Sequence, residues 1–162
     1  MSAPALYASD GYRVHLLPSA LAKAMRLAQQ GAPLETGGML LGDVVDGVAR
    51  ILAVTGPGRR AVRERLGYER DAAHDNRLLK RTGPCLSYLG DWHTHPGGPA
   101  SLSRADVDCI RQGLDVRPEV LHLLLSGPSA MQGHVVASLF TAVRGEASVR
   151  RMVPAAPGEV SE

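Results

Sequence analysis

The chain has 162 residues, of which 44% are hydrophobic and 21% are charged. A chain of this length buries roughly 70% of its unfolded surface, so it can form one core without disulfides, and its two cysteines supply no disulfide framework. The formal net charge of +2 is small for a dedicated nucleic-acid-binding module. Neither a transmembrane run nor a signal-peptide pattern is recognisable. We therefore expect one cytoplasmic domain with no nucleic-acid or membrane partner.

Three helices are predicted from apolar spacing and from their first residues. Residues 18–30 carry apolar side chains at helical spacing and end before a glycine. Residues 71–81 form a second predicted helix, in which Asp71 can cap the N-terminus. Ser103 opens the third, which we expect to end near Gly113.

Apolar runs bounded by turn residues predict a set of strands. The predicted strands cover residues 12–16, 37–45, 48–54, 85–92, 121–125, 135–141 and 149–153. Residues 56–69 contain Gly-Pro-Gly and several arginines, which predict a mobile surface loop. The arginines from Arg59 to Arg70 fit a solvated loop or, alternatively, a substrate contact. Residues 1–11 and 154–162 are predicted to be a flexible leader and a flexible tail.

The residues with the clearest chemical potential are His93 and His95, followed by Ser103 and Asp106. Side chains at i and i+2 of a strand project to the same side, so the two imidazoles can converge on one ion. Asp106 lies in the first turn of the next helix, where its carboxylate can turn back toward them. Two histidines and one carboxylate are typical of a catalytic zinc site. Alternatively, the histidines lie on the surface, and Ser103 with Asp106 only caps a helix.

Other zinc chemistries fit the sequence less well. The His-Glu-x-x-His motif of zincins does not occur. A nucleobase deaminase needs His-x-Glu, where this chain has His95, and a cysteine three residues after Cys85, where this chain has Tyr88. Cys109 follows Asp106 by three residues and is interpreted as a buried small hydrophobe, with an approach to the zinc site as the alternative. His122 and His134 have no partner at ligand spacing and are interpreted as structural.

The motif resembles that of a known family. His93-x-His95-Pro96 with Ser103 and Asp106 matches, at every defined position, the JAMM motif of JAB/MPN-type metalloproteases. The segment 34–42, with Glu35 followed by two glycines, resembles the glutamate-bearing strand of that family. Arg70-Asp71 with His74 resembles prokaryotic, stand-alone members, and the resemblance covers about residues 12–153. It implies an α/β fold, similar to cytidine deaminase, in which helices flank a mixed central β-sheet.

The resemblance also implies a role for each motif residue. His93, His95 and Asp106 would hold Zn²⁺. Glu35 would act as the general base and then as the general acid. Ser103 would donate a hydrogen bond to the developing oxyanion. Because all five residues are intact, a non-catalytic relative is disfavoured.

By the same resemblance, the substrate would be a ubiquitin-like modifier or its conjugate, cut after the modifier's C-terminal glycine. Relatives occur beside E1- and E2-like proteins in antiviral operons such as CBASS, which suggests such proteins as partners. One alternative is C-terminal trimming of a sulfur-carrier protein. Another is a module that binds modifiers without cleaving them.

Overall fold

The computed structural model describes residues 5–155, so residues 1–4 and 156–162 lie outside the described part. Within it, three α-helices are α1 (Pro18–Gly31), α2 (Ala72–Thr82) and α3 (Arg104–Gln112), and a short 3₁₀ turn covers Gly113–Asp115. The strands are β1 (Ala5–Ser9), β2 (Tyr12–Leu16), β3 (Gly37–Val45), β4 (Val48–Val54), β5 (Val62–Glu64), β6 (Gly67–Glu69), β7 (Ser87–Pro96), β8 (Glu119–Gly127), β9 (Val136–Val143), β10 (Arg150–Arg151) and β11 (Val153–Pro154).

Nine of these strands form one mixed sheet in the order β10-β9-β8-β7-β3-β4-β2-β1-β11. The pairs β2–β4 and β7–β8 are parallel, whereas the other neighbours in the sheet are antiparallel. Strand β7 therefore lies between β3 and β8, near the middle of the sheet, where two neighbours hold its backbone. The predicted α/β fold with a mixed central sheet is confirmed.

The helices begin and end within about two residues of their predicted limits. Three alanines of α1, Ala20, Ala24 and Ala28, are spaced four residues apart and are buried. Residues at this spacing share one helix face, and their small side chains let α1 lie close to β3 and β4. Helix α2 packs near β7, and α3 packs on β8. None of the helices within residues 5–155 is long and apolar enough to cross a membrane.

A single segment joins the two ends of the sheet. Strands β10 and β11 are separated only by Met152, yet β10 pairs with β9 and β11 pairs with β1. Met152 is 2% exposed, belongs to the main hydrophobic core, and donates its backbone N–H to Leu139 O. This short segment therefore bridges β9 and β1, so the two edges of the sheet meet at Met152.

Three predictions about the segments outside the core need correction. Residues 5–9, assigned to a flexible leader, form β1, which pairs with β2 along its whole length. Pro154, assigned to the tail, belongs to β11. The predicted loop over residues 56–69 contains a β-hairpin of β5 and β6. These strands were missed because they are short, and two of them pair with residues distant in sequence.

We predict that Met152 contributes strongly to stability. Met152→Ala removes a buried side chain from the core and should lower the free energy of unfolding by about 2–5 kcal/mol, measured by urea denaturation. The matched control is Val153→Ala, one residue later but 66% exposed, which should change it by no more than about 0.5 kcal/mol. Equal effects of the two substitutions would show that closure at Met152 does not stabilise the fold.

Candidate metal centre and its cleft

Strand β7 brings His93 and His95 to the same side of the sheet. Both histidines lie inside the strand, which ends at Pro96 rather than at Trp92 as predicted. They are 6% and 8% exposed, and their Nε2 atoms are 3.0 Å apart. Consecutive side chains of a strand face opposite sides, and Trp92, which directly precedes His93, is accordingly fully buried in the core. Leu89, on the same strand, also belongs to the hydrophobic core.

Asp106 reaches the two histidines from the first turn of α3, held by a capping box. Ser103 Oγ accepts from Asp106 N at 3.1 Å, and Asp106 Oδ2 accepts from Ser103 N at 2.7 Å. Asp106 Oδ1 lies 3.2 Å from His93 Nε2, and Asp106 Oδ2 lies 3.3 Å from His95 Nε2. The helix cap therefore also aims the carboxylate at the histidines, so the capping and metal interpretations are compatible.

The spacing of these three groups fits a zinc ion. Bonds of 2.0–2.1 Å at tetrahedral angles place ligand atoms about 3.3 Å apart. The observed separations of 3.0, 3.2 and 3.3 Å are close to that value. His93, His95 and Asp106 form a group whose ligand atoms all lie within 4.8 Å of one another. These three residues could hold the ion through two imidazole nitrogens and one carboxylate oxygen.

Hydrogen bonds within this cluster shift the pKa values of Asp106 and His95. Burial tends to raise the pKa of Asp106, but its hydrogen bonds with His93 and His95 hold the pKa well below its usual range. The hydrogen bond that the Asp106 carboxylate accepts from His95 raises the pKa of His95 in turn. The carboxylate is therefore ionised at neutral pH, as a metal ligand must be.

Each histidine uses its second ring nitrogen as well. His95 Nδ1 lies 3.0 Å from Pro99 O, which can accept a hydrogen bond from it. His93 Nδ1 lies 2.6 Å from Nε2 of the buried His122 on β8. The interpretation of His122 as structural agrees with its burial, but the sequence did not indicate its contact with His93. That contact is not visible in the local spacing, because only the pairing of β7 with β8 brings the two rings together. Burial, followed by the nearby His93, lowers the pKa of His122 well below its usual value.

Glu35 lies just before β3 and is 8% exposed. Burial raises the pKa of its carboxyl, although the nearby His93 and His95 oppose this rise. Its backbone N–H donates to Glu64 O of the hairpin at 2.8 Å. The next residue, Thr36, donates its N–H to Thr94 Oγ1 at 3.0 Å and accepts at its carbonyl from Thr94 N. Thr94 stands between the two histidines, so Glu35 is anchored to the same strand as the candidate ligands.

A cavity of about 590 Å³ lies beside the candidate metal ligands. The candidate ligands, Glu35 and Ser103 line it together with the hairpin residues from Arg65 to Arg70. Leu66, in the turn of the hairpin, is 95% exposed. A Cβ at Gly37 would lie 2.3 Å from Trp92 O and 2.7 Å from the Tyr68 ring, so only glycine lets the hairpin approach the sheet this closely. The result is a cleft lined by the candidate metal ligands, with the hairpin along one side.

Parts of the arginine-rich region make specific contacts, which a fully solvated loop would not make. Arg70 Nε lies 2.8 Å from the buried Asp75, and its NH1 lies 3.3 Å from Asp91. Asp71 accepts from His74 N, which confirms it as the N-cap of α2, and also from Arg60 N. These bonds tie both ends of the hairpin to α2 and β7.

The remaining sequence candidates are on the surface. Cys109 is exposed and lines the cleft, so its interpretation as a buried residue is wrong. It does not join the group of candidate ligands within the described residues. His134 is exposed.

Comparisons with known proteins agree with this geometry. The family described as prokaryotic homologs of the JAB domain matches residues 17–144. A CD-NTase/cGAS isopeptidase of Escherichia coli is 33% identical over 97 residues, which are 57% of this chain and 62% of that protein. A probable metalloprotease of Sinorhizobium fredii, y4qB, is 31% identical over 130 residues, 73% of this chain and 79% of the relative.

A eukaryotic relative is more distant and longer. The Saccharomyces cerevisiae protein named ubiquitin carboxyl-terminal hydrolase RPN11 is 25% identical over 145 residues, which are 87% of this chain and 47% of that protein. The chain spans about half the length of the RPN11 relatives that it matches.

We predict that the Thr94 hydroxyl is required for the anchoring of Glu35. Thr94→Val keeps the shape of the side chain but leaves the buried Thr36 N–H without its acceptor. The free energy of unfolding should fall by about 1–3 kcal/mol, measured by urea denaturation. Thr94→Ser is the matched control, since it keeps the hydroxyl and should retain most of that stability. A valine variant as stable as the serine variant would contradict this role.

Proposed function

Because the chain belongs to the family of prokaryotic homologs of the JAB domain, we propose that it is a zinc-dependent isopeptidase acting on ubiquitin-like conjugates. The observation that carries this proposal is the convergence of His93, His95 and Asp106 with Glu35 and Ser103 in one cleft. Relatives named as an isopeptidase, a probable metalloprotease and a ubiquitin carboxyl-terminal hydrolase support the reaction class.

In this proposal, His93, His95 and Asp106 hold the zinc. Such a set of three ligands is typical of catalytic rather than structural zinc sites. A zinc ion held there would supply Lewis-acid chemistry and would lower the pKa of water to about 7. Asp106 contributes the single negative charge of the ligand set, and the capping box keeps its carboxylate from rotating away.

Glu35 and Ser103 move protons and stabilise charge. Glu35 accepts the proton of the attacking water at its carboxylate and passes it to the nitrogen of the leaving amine. The burial of Glu35 favours this role, because burial raises the pKa of its carboxyl toward the working pH. Ser103 lines the cleft, and its hydroxyl proton is free to point at the developing oxyanion, since Ser103 Oγ acts only as an acceptor in the capping box.

The hairpin supplies the binding surface for an extended peptide. Strand β6 pairs with β5 on one side, and within residues 5–155 no strand pairs with its other side. Gly67, Tyr68 and Glu69 of β6 line the cleft, so a peptide lying there can add to β6 through main-chain hydrogen bonds. A flexible tail that ends in glycine is slim enough to reach the floor of the cleft, whereas a compact folded segment is not.

The biological setting is part of the proposal and is supported by the name of one relative. The Escherichia coli relative is named CD-NTase/cGAS isopeptidase. We propose a corresponding deconjugation or precursor-processing step for this protein, in a bacterial antiviral system with E1- and E2-like partners.

The proposed roles predict different effects for Glu35 and for the ligands. Glu35→Gln should bind zinc as the unmodified protein does, but should lose at least about 10²-fold in turnover, because it removes only the proton acceptor. His95→Ala should lose zinc as well as turnover. Zinc content by atomic absorption and cleavage of a modifier fusion measure the two effects. A fully active Glu35→Gln variant would show that another residue moves the proton.

The proposed substrate predicts a single cleavage position. A ubiquitin-like protein encoded beside this chain, fused to a target, should be cut immediately after its terminal glycine, as mass spectrometry of the products would show. Unfolded casein should be cut little. Efficient cleavage of casein at scattered positions would instead indicate a general peptidase.

The proposed docking surface predicts a role for Leu66. A leucine side chain that becomes buried contributes about 1.5–3 kcal/mol, so Leu66→Ser should raise KM for the fusion about 10-fold or more with little change in kcat. Val116→Ser is the matched control, because Val116 is 72% exposed and does not line the cleft. An equal KM for both variants would place the modifier elsewhere.

A further inference from the structure

His122 is a buried polar residue for which the proposed reaction has no use. It lies on β8, is 7% exposed, and is flanked along the strand by Leu121 and Leu123, which are fully buried. In the parallel pairing of β7 with β8, His93 is aligned with Leu124, and His122 lies two residues earlier on the same face. The rings of His93 and His122 have centroids 4.8 Å apart and are tilted by 55°.

The contact between these rings is a hydrogen bond that fixes proton positions. His93 Nδ1 and His122 Nε2 are 2.6 Å apart, and two ring nitrogens at this distance share one proton. His93 Nε2 faces His95 and Asp106, so in the metal-bound protein its lone pair is committed to the ion. The proton must then reside on His93 Nδ1, and His122 Nε2 must accept it. His122 consequently carries its own proton on Nδ1.

We infer that His122 is a positioning residue that selects the metal-binding tautomer and the ring orientation of His93. This inference rests on the zinc site of the proposed function. Histidine ligands generally donate their second N–H to a carboxylate, a backbone carbonyl or water, and such partners support metal affinity. His95 follows this pattern through Pro99 O, whereas His93 has an imidazole as its acceptor.

The carboxylate of Asp91 lies on the strand next to His122, but it already has other hydrogen-bond partners. Asp91 is the register partner of His122, yet its carboxylate accepts from Tyr88 OH at 2.6 Å and pairs with Arg70. An imidazole acceptor orients His93 without adding a second negative charge beside Asp106. His122 therefore keeps the charge of the ligand set low while still holding His93 in place.

The unmodified, zinc-loaded chain provides a direct test by nitrogen-15 NMR of its histidine rings. We expect the protons of both His93 and His122 on Nδ1, and a scalar coupling between His93 Nδ1 and His122 Nε2 across the hydrogen bond. A proton on His122 Nε2 would overturn the inference. This measurement requires neither substrate nor a variant that folds.

Two variants separate hydrogen bonding from packing. His122→Leu has no acceptor and should weaken zinc binding about 10- to 100-fold in a competition titration with a chelator. His122→Gln places an amide oxygen near the position of Nε2 and should recover most of that loss. Leu124→Val, on the same face of β8, is the packing control and should bind zinc as the unmodified chain does.

The outcomes distinguish this inference from the proposed function. Unchanged zinc affinity in His122→Leu, or an equal loss in all three variants, would overturn the role of His122 and leave the isopeptidase proposal intact. If the leucine variant does not fold, the ring NMR of the unmodified chain and the affinity of His122→Gln decide. A chain that binds zinc as expected but cuts no modifier fusion would overturn only the proposed substrate. Failure of the unmodified chain to bind zinc would overturn both.

Discussion

The alternation of side chains along β7 is the constraint on which both the core and the candidate site depend. Trp92 points into the core and donates its indole N–H to Thr55 O, while His93 and His95 point to the cleft. A slip of one residue in the pairing with β3 or β8 would exchange these faces and bury the imidazoles in place of the indole. The large buried area of Trp92 therefore also fixes the positions of the histidines.

The second fixed point is the start of α3, which uses one carboxylate for two purposes. Asp106 accepts from Ser103 N and contacts both histidines through its two oxygens. A helix cap is a local interaction, so the orientation of the Asp106 carboxylate is set within α3 itself. The candidate site thus combines a local interaction at the start of α3 with the long-range strand pairing of β7.

Features that depend on residues close together in the chain are predictable from this sequence, whereas contacts between distant residues are not. The helix of α1, the caps Asp71 and Ser103, and the placement of two histidines on one face all follow from spacing within a few residues. The hairpin of β5 and β6 was missed because three-residue strands rich in charge have no apolar alternation. His122 was missed because its partner is 29 residues away and becomes a neighbour only through parallel strand pairing.

The hairpin lines the candidate site and is itself held in place by residues of that site. An isolated two-stranded hairpin is marginally stable in water, and this one contributes three exposed residues in β5. Its supports are the bond from Glu35 N to Glu64 O, the contact of Tyr68 with Gly37, and the ion pairs of Arg70. Two of these supports lie at Glu35 or within two residues of it. A displacement of the hairpin therefore acts directly on the backbone of Glu35, so the surface that receives a peptide and the group that would cut it belong to one mechanical unit.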